Sequence, residues 1–461
     1  MSQVTKPLVL NETVEAMNGI LADIAYSSGT EPASFHEVQK IVRAGLGAKK
    51  FPVGSQFVCG KTTAMTATVG NSQGEAGITA ASVNKDTFIH AIGHSGNADY
   101  EFTWDGAAWK FKEEPVELST YGITVTGTPA LGDEVVIHET AANLVWDVLG
   151  HDIETPVDSD IQHTMTLGLH DCYTELQFDA REALFYFADG LAAGTYHFLV
   201  TAHSWVSTDV NKSFQFTLTQ AIPAGGQLVL TGSYNVTLEN STAKTYASAT
   251  ATTEIEAVTL TVGTDGTDLG SVNNSKTTTT NCLQRALLGN NNYAESALRQ
   301  YINSNKVKAT YWTAQNVFDR PPSWNDTADG FLYEIDEDFL AVTQKVKKTL
   351  ALNTVCDGGG SVQITDRFFL LSRTEVYAGN ENSIAEGSIY PWYSKYSDLT
   401  TPGTGADTNR IKYRNGAAKY WWLRSPSSSF GSHARYVYPS GTVNYNSSYG
   451  TIGVAPACCI G

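Results

Sequence analysis

The side chains best suited to recognition chemistry are concentrated in residues 427–452, near the C-terminus. This stretch carries Tyr436, Tyr438, Tyr445 and Tyr449 among serines, glycines and asparagines. Tyrosine supplies a large, rigid contact surface and small polar residues supply adaptable hydrogen bonds, which is the mixture found in antibody binding loops. The chemistry that this stretch predicts is therefore non-covalent binding of a ligand.

The same stretch contains no Lys, Glu, Gln, Met or Trp. Those five residue types make up roughly a fifth of an average chain, so their absence from such a run is unusual. The flanking segments Trp421–Pro426 and Gly453–Ile460 are apolar and definite in character. The restricted alphabet therefore marks residues 427–452 as a segment under a constraint of its own.

Two groups of residues are candidates for holding a metal ion. The densest group of histidines and carboxylates comprises His151, His163, His170, Asp147, Asp152 and Asp171. Such side chains are zinc ligands, but the spacing is irregular, and we expect hydrogen bonds or solvent to satisfy these histidines. We therefore predict no metal site there.

The second group follows Trp324-Asn325-Asp326, which matches an element of calcium-dependent lectins. Carboxylate oxygens are the ligands that Ca²⁺ prefers, and the acidic residues in this group are Asp326, Asp329, Glu334, Asp336, Glu337 and Asp338. The partner Glu-Pro-Asn or Gln-Pro-Asp element is missing. We expect an acidic, solvated loop and no cofactor, with Ca²⁺ as the alternative.

No arrangement in the sequence indicates catalysis. Cys356–Ser361 is rich in glycine, but it lacks the Lys-Ser/Thr pair of a phosphate-binding loop, so we expect a flexible turn. Neither a Ser-His-Asp nor a Cys-His arrangement can be argued from spacing. The sequence predicts a binding protein and not an enzyme.

The charge balance excludes several classes of partner. The 461 residues include 47 acidic and 30 basic side chains, which gives a net charge of −17. Nucleic-acid binders carry basic patches, and anionic membrane surfaces attract basic segments, so neither partner is expected. No segment approaches the apolar length of a membrane span, and the N-terminus shows no apolar signal-peptide core.

Six cysteines are few and unpatterned: Cys59, Cys172, Cys282, Cys356, Cys458 and Cys459. No C-x-x-C pair occurs, and the adjacent Cys458 and Cys459 in an apolar segment are most simply buried small hydrophobes. We expect free thiols in a protein made in a reducing cytoplasm.

The elements that must position the C-terminal stretch are mostly strands. Two helices are expected first, one from the apolar spacing of Val14–Ile24 and one from the capping box Ser34–Glu37. They form either a simple helical hairpin or, as we favour, an attachment module. Short strands then follow, among them Thr62–Val69 and Thr87–Ile92.

The middle of the chain reads as a second β region. Leu184–Val262 has the strand and turn pattern of a jelly roll or sandwich. Thr264–Thr280 has the glycines and threonines of a linker. From Cys282 onwards, the sequence predicts helices over Leu283–Leu288 and Ser296–Asn303 and a buried strand at Trp421–Leu423.

Four motifs in order resemble a family of C-type-lectin-fold domains found in phage tail proteins and bacterial surface proteins. Many members are the variable proteins of diversity-generating retroelements. The motifs are Asn292–Asn303, Asp366–Ser372, Trp421–Pro426 and Gly453–Ala457, and the match covers about Cys282–Gly461. Trp146–Leu169 resembles the first strands of the same domain, and Val38–Leu46 followed by Phe51–Gly54 resembles the start of tail proteins from gut phages.

The resemblance implies a multi-domain protein of the α+β class, mostly β. The expected parts are a helical attachment region (1–50), a small β module (51–141), the first part of the lectin-like domain (142–183), an inserted jelly-roll-like unit (184–265) and the remaining lectin-like domain (266–461). Trp421, Trp422, Leu423 and Val454–Ile460 would form its buried frame. Ala455 departs from the family pattern, because many relatives carry Arg there and an ion pair would be missing.

In that family a reverse transcriptase randomises adenines in the C-terminal coding repeat. Asn codons of the AAC type then never yield Lys, Glu, Gln, Met or Trp, which matches the composition of residues 427–452. We expect the varied side chains to project to solvent without touching the core. The implied ligand-binding positions, with Pro439 as a further variable position, are Ser428, Ser429, Phe430, Ser432, His433, Arg435, Tyr436, Tyr438, Ser440, Asn444, Tyr445, Asn446, Ser447, Ser448, Tyr449 and Thr451.

The function that the resemblance implies is a phage tail receptor-binding protein in the virion, at the tail tip or fibre. Its partners would be a host bacterial surface protein or glycan, other tail proteins through the N-terminal region, and two further copies in a homotrimer. The alternatives are a bacterial surface or structural virion protein, and an enzyme on a formylglycine-generating-enzyme-like fold. Against the enzyme, the adjacent Cys458 and Cys459 do not match that family's cysteine pair.

Overall fold

A computed structural model describes residues 34–70, 77–92, 98–202, 210–231, 237–241 and 257–461. The first expected helix, Val14–Ile24, lies outside the described residues. Strands make up 39% and helices 13% of the structure, which confirms the prediction of an α+β protein that is mostly β. Among the described residues, no helix is long and apolar enough to cross a membrane.

The helices are short. In the described residues the α-helices are α1 Phe35–Arg43, α2 Gly47–Lys50, α3 Lys85–Ile92, α4 Leu283–Leu288, α5 Ala297–Ile302, α6 Glu337–Val342 and α7 Pro391–Lys395. Single turns of 3₁₀ helix span Leu118–Tyr121 and Thr408–Arg410.

The strands provide most of the framework. The first group is β1 Gln56–Gly70, β2 Ile78–Val83, β3 Asp99–Trp104, β4 Trp109–Phe111, β5 Glu114–Val116, β6 Ile123–Gly127 and β7 Glu134–His151. The second group is β8 Thr155–Pro156, β9 Met165–Leu169, β10 Thr174–Gln177, β11 Phe185–Phe187, β12 Gly194–Val200, β13 Lys212–Leu218, β14 Gly226–Thr231, β15 Thr237–Ser241, β16 Ala257–Thr259, β17 Thr261–Val262 and β18 Thr267–Val272. The last group is β19 Val346–Ala351, β20 Ser361–Asp366, β21 Phe368–Phe369, β22 Lys412–Arg414, β23 Ala417–Lys419, β24 Trp421–Pro426, β25 His433–Val437, β26 Val443–Ser447, β27 Thr451–Val454 and β28 Ala457–Ile460.

The chain divides into two compact units, and the first comprises residues 1–147, 332–343 and 460–461. Its sheet runs β7-β3-β4-β5, and β1 also pairs with β7 in antiparallel register. Helix α1 begins as the capping box predicts, because the Ser34 side chain accepts a hydrogen bond from the Glu37 amide at 3.3 Å. The residues Val38, Ile41 and Val42 lie on its buried face.

The expected strand Thr87–Ile92 is wrong, because this segment is helix α3. Asn84 precedes the helix and caps it, since its side-chain oxygen accepts a hydrogen bond from the Thr87 amide at 3.1 Å. Phe88 lies in the apolar core of this unit, and Ile89 is buried as well. The β-forming residue types were therefore outweighed by a cap and a buried helical face.

The second unit comprises residues 148–331 and 344–459, and it contains the C-terminal stretch. Its central sheet has the order β10-β27-β24-β25-β26. All six residues of β24 are buried, whereas β25 and β26 form an antiparallel hairpin with partly exposed side chains. The apolar strand thus holds the polar hairpin at the edge of the sheet.

Two further sheets in this unit, β11-β14-β15-β16 and β17-β13-β12-β18, share one apolar core with α4. The expectation that Thr264–Thr280 is a linker is wrong over its middle, because β18 pairs in parallel with β12. Gly266, with a φ of 84°, lies in the bend before this strand, and Gly270, with a φ of 88°, lies within it, where the pairing register with β12 shifts. The glycines that suggested a linker therefore allow a bend and an irregularity in a sheet.

The expectation of six free thiols is also wrong. Cys282 and Cys356 form a disulfide bond, with Cα atoms 6.3 Å apart, and the two residues are 74 positions apart in the chain. Cys59, Cys172, Cys458 and Cys459 are free and buried. Sequence distance hid the pair, because no local spacing brings Cys282 and Cys356 together.

Candidate ligand-binding surface

The base of the site is strand β24, whose large side chains are fully buried. Trp421, Trp422 and Leu423 each show 0% exposure. The indole nitrogen of Trp421 donates to the Arg410 carbonyl at 2.8 Å, and that of Trp422 donates to the Leu176 carbonyl at 2.9 Å. Both polar atoms are therefore satisfied, so the rings can be buried without an unpaired donor.

The next residue of β24, Arg424, anchors a buried ion-pair network. Its guanidinium contacts both carboxylate oxygens of Glu375, at 2.5 and 2.8 Å, and the Lys348 ammonium lies 3.0 Å from the same carboxylate. Burial alone raises the pKa of Glu375, but Arg424 and Lys348 outweigh it and hold that pKa below its ordinary value. The carboxylate is therefore charged and fully paired inside the frame.

The β25–β26 hairpin carries the first group of exposed rings. Its register places Arg435 opposite Tyr445 and His433 opposite Ser447. The rings of Phe430, His433 and Tyr445 lie with centroids 4.8 to 5.6 Å apart, and the Arg435 guanidinium lies 5.3 Å from the Tyr445 centroid. Tyr445 is 39% exposed, so this cluster presents an aromatic face to solvent.

The turn after β26 presents a second ring. Tyr449 is 40% exposed, and the Arg181 guanidinium lies 4.2 Å from its centroid. The backbone at this turn is fixed, because the Tyr449 amide donates to the Leu288 carbonyl at 2.9 Å. The ring is therefore displayed on a rigid support.

The 427–433 loop, which precedes β25, is held through its backbone by side chains from outside the stretch. The side-chain amide nitrogen of Asn291 donates to the backbone carbonyls of Phe430 at 2.7 Å, His433 at 2.9 Å and Ser427 at 3.4 Å. The Gly431 amide donates to the Gln284 side chain at 2.6 Å, and its carbonyl accepts from Arg285 Nε at 3.2 Å. Because these anchors bind main-chain atoms, loop side chains can change without removing them.

Three of the expected surface positions are buried, and for them the expectation of solvent-facing side chains is wrong. Ser432 and Ser448 are 0% exposed, and the Ser432 carbonyl accepts from both the amide and the hydroxyl of Ser448 at 2.8 and 3.0 Å. Tyr436 is 5% exposed and packs against Trp422, Tyr420 and Tyr438. Ser432 and Ser448 are enclosed where their backbones meet, and Tyr436 is enclosed by the aromatic side chains of the frame.

Arg435 is only partly exposed, and it is committed to an ion pair. Its guanidinium forms two hydrogen bonds with the Glu381 carboxylate, at 2.7 and 2.9 Å, and Arg373 contacts the same carboxylate at 3.0 Å. Burial raises the pKa of Glu381, but the Arg435 hydrogen bonds and charge hold it below its ordinary value. Substitution at position 435 would leave a buried carboxylate with one cation fewer.

The remaining positions lie at or near the surface. The exposed ones are Ser429, Ser440, Tyr445, Asn446, Tyr449 and Thr451. The partly exposed ones are Ser428, Phe430, His433, Arg435, Tyr438, Asn444 and Ser447, together with Pro439. The structure thus brings most of the expected positions to one hairpin and its two adjoining turns.

The stretch carries little charge of its own. It contains no Asp, Glu or Lys, and its one arginine, Arg435, pairs with Glu381, which Arg373 also contacts. Burial lowers the pKa of His433 to about 4, so its imidazole is uncharged. What such a surface can offer to a ligand is ring contact, shape and neutral hydrogen bonds.

A cluster of buried carboxyl groups lies beside the second turn. The Asp179 amide donates to the Ser448 carbonyl at 3.0 Å, which ties the segment 179–182 to that turn. Asp179, Glu182 and Asp319 are at most 6% exposed, and Asn316 donates to Glu182 at 3.2 Å and to Asp319 at 3.0 Å. Three acidic groups thus share a buried site.

Burial and the neighbouring Glu182 charge raise the pKa of Asp319 to about 8, and burial also raises the pKa of Asp179. Burial alone would raise the pKa of Glu182 too, but the charges of Arg285 and Lys276 lower this pKa below its ordinary value. Asp319 therefore holds a proton at neutral pH and donates it in a hydrogen bond to Glu182.

This cluster predicts a pH effect on stability. Because the folded pKa of Asp319 is above its unfolded value, its stabilisation is complete near pH 4 and is lost as pH rises to about 8. Asp319→Asn keeps the neutral form, so the variant should gain stability over wild type by on the order of 1 kcal/mol per pH unit between pH 5 and 8. Urea unfolding of both proteins at several pH values measures this difference.

The exposed Asp160→Asn provides the control for this experiment, because it makes the same change of side chain at a position open to solvent. A constant difference between Asp319→Asn and wild type over this range would show that Asp319 is already ionised in the folded protein.

The acidic residues considered as alternative calcium ligands do not all belong to one unit. Asp326 and Asp329 belong to the second unit and Glu334, Asp336, Glu337 and Asp338 to the first. Asp336 accepts from the Gly60 amide at 2.6 Å, and Glu334 pairs with Lys85 at 2.7 Å. Within the described ranges, no group of three or more His, Cys, Asp or Glu residues is placed to hold a metal ion.

The sequence interpretation missed the residues that hold the 427–433 loop. Asn291 belongs to the run Asn290–Asn292, which local reasoning assigns to the end of a helix. All three of its loop contacts span at least 136 positions in the chain. Consecutive asparagines beside apolar helices were the only available signal.

Comparison with known proteins gives a family match for the C-terminal part of the chain. The model of a family described as a domain of unknown function (DUF6273) matches residues 273–461. This range includes Asn291, Gln284, Arg285, the frame strand β24 and the whole hairpin. No curated protein and no solved structure matches the chain.

Proposed function

We propose that this chain is the receptor-binding protein of a phage tail, and that the β25–β26 hairpin and its adjoining turns recognise a ligand on the host cell. The proposal rests on the different roles of the backbone and the side chains in residues 427–452. Fixed side chains outside the stretch bind its backbone, while its exposed side chains belong to the restricted alphabet of a diversified repeat. A diversified site needs both properties at once.

We assign the C-terminal part to a C-type-lectin-like domain interrupted by a jelly-roll-like insertion. Strand β10, before the inserted sheets, pairs with β27, after them. The two inserted four-stranded sheets share one core. This pairing supports an insertion, because the chain leaves the domain after β10 and later returns to the same sheet.

We further propose that the protein acts as a homotrimer attached to other tail proteins through its N-terminal region. A single surface of exposed rings with little charge is expected to bind its ligand with modest affinity. The binding free energy of a millimolar site is only about −4 kcal/mol. Linking several such sites raises avidity by roughly 10² to 10⁴. A host surface protein or glycan present in many copies is the matching partner.

The test is a double substitution, Tyr445→Ala with Tyr449→Ala. Both rings are exposed, and exposed aromatic anchors contribute much of an interface's binding energy. We expect adsorption to host cells to fall at least tenfold, because two anchors are lost, while the melting temperature changes little. Adsorption and thermal unfolding are measured on the same preparations.

Tyr396→Ala is the matched control, because Tyr396 is similarly exposed, at 43%, but directly follows α7, outside the stretch. It should retain full adsorption. Full adsorption by the double variant as well would exclude this surface as the receptor site.

A second test concerns the neighbouring DNA. We expect a near-copy of the 3′ coding end that differs only at adenines, beside a reverse transcriptase gene. An invariant stretch 427–452 among isolates whose Trp421–Pro426 segment drifts would contradict diversification.

A further inference from the structure

The disulfide Cys282–Cys356 lies directly beneath the 427–433 loop. Cys282 is buried at the N-terminus of α4. Cys356 is half-buried in the loop 353–360, which follows β19. A methyl group on Gly431 would collide with Cys356 Sγ and would lie 3.2 Å from Cys282 Sγ. The loop therefore rests on the two sulfur atoms, and only glycine fits at the contact.

Both elements that the disulfide joins also hold the 427–433 loop. From α4, Gln284 and Arg285 bind the main chain of Gly431. From the other side, the amide and hydroxyl of Thr354 donate to the Ser428 carbonyl at 2.8 and 2.9 Å. The covalent bond thus connects two sets of anchors that act on one loop.

The 353–360 segment contains three consecutive glycines, which make its ordering costly. Gly358, Gly359 and Gly360 have φ values of 77°, 74° and 76°. Glycine loses more conformational freedom on ordering than any other residue, so three in succession favour the disordered state. Without the disulfide, the Asp357–Arg285 ion pair and the Asn353 side chain remain as links within this region.

We propose that Cys282 and Cys356 form a redox latch that orders the 427–433 loop. The latch is open as two thiols in the reducing cytoplasm where the chain is made, and it closes by oxidation after release. The closed state holds Thr354 and the α4 anchors together on the loop. The consequence for receptor binding rests on the proposed function, whereas the ordering of the loop does not.

The oxidant is a small-molecule disulfide such as oxidised glutathione. The Cys356 thiolate, the more accessible of the pair, attacks one sulfur of the oxidant, forms a mixed disulfide and releases one thiolate. The Cys282 thiolate then displaces the second thiolate and forms the Cys282–Cys356 bond. Each cysteine gives up one proton and one electron, and the oxidant is reduced to two thiols.

The test compares three samples of the full chain: oxidised wild type, wild type reduced with a phosphine, and the double variant C282S/C356S. Hydrogen exchange measures the order of residues 427–433 without any ligand, and host adsorption measures function. We expect amide exchange in the loop to become at least tenfold faster on reduction and adsorption to fall. The double variant should resemble reduced wild type and should not respond to the reductant.

Two outcomes separate this inference from the proposed function. Unchanged exchange in the loop on full reduction, verified by alkylation of both thiols, overturns the latch whatever adsorption does. Faster exchange on reduction supports the latch even where neither state adsorbs to host cells, and that result contradicts the proposed function instead. Reduced wild type needs no substitution, so the test does not depend on folding of the double variant.

Discussion

Replacing Glu375 with alanine should lower the free energy of unfolding by about 3–5 kcal/mol, because breaking a buried ion pair leaves its partners charged and unpaired. Glu375 is 1% exposed, and its carboxylate contacts Arg424 at 2.5 Å and Lys348 at 3.0 Å. Its Oε2 atom also accepts from the Ser372 amide at 2.9 Å. Urea denaturation at neutral pH measures the loss.

Glu175→Ala is a matched control, because Glu175 also contacts one arginine and one lysine. Arg414 and Lys419 lie 3.4 and 3.3 Å from its carboxylate, but all three side chains are at least 30% exposed. Exposed pairs contribute only about 0–1 kcal/mol. Equal effects of the two substitutions would show that the Arg424 network is not the centre of the frame.

Replacing Asn291 with alanine should cost about 3 kcal/mol and should free the 427–433 loop. The substitution removes three hydrogen bonds to carbonyls of the loop, and each intramolecular hydrogen bond contributes about 0.5–1.5 kcal/mol. The side-chain oxygen of Asn291 also accepts from Asn353 at 2.9 Å, which is lost as well. Urea unfolding and hydrogen exchange of residues 427–433 measure the two effects.

The neighbouring Asn292 offers the control for this prediction. It is half-buried, and its side chain accepts one local bond from the Ala294 amide at 3.1 Å. Asn292→Ala should cost under about 1 kcal/mol and should leave loop exchange unchanged. Slow exchange of the loop in Asn291→Ala would mean that Gln284, Arg285 and Thr354 are sufficient to order it.

Local sequence signals predicted the elements whose determinants are local. The Ser34 cap and the spacing of Val38, Ile41 and Val42 identified α1, and the apolar run at Trp421 identified β24. Thr87–Ile92 failed because a single capping asparagine and two buried side chains outweighed the β-forming residue types. Whether a segment forms a helix or a strand could therefore be predicted from the sequence, except where tertiary packing opposes the preference of the residue types.

Composition singled out the candidate surface, but it did not show which of its side chains are exposed. Residue composition located the stretch 427–452, yet composition does not distinguish exposed Tyr445 from buried Tyr436. That distinction depends on which face of the hairpin lies against Trp422. Arg435 likewise reads as a binding residue until its partner Glu381, 54 positions away, is known.

The buried junction between Ser432 and Ser448 has a consequence for evolution. Randomised codons at these two positions would often encode side chains too large for the space available, and such proteins would fail to fold before meeting a host cell. At Tyr449 or Asn446, nearly every encoded residue would be compatible with folding. If the stretch is diversified as proposed, the encoded repertoire would be larger than the displayed one, and protein folding would act as the first round of selection.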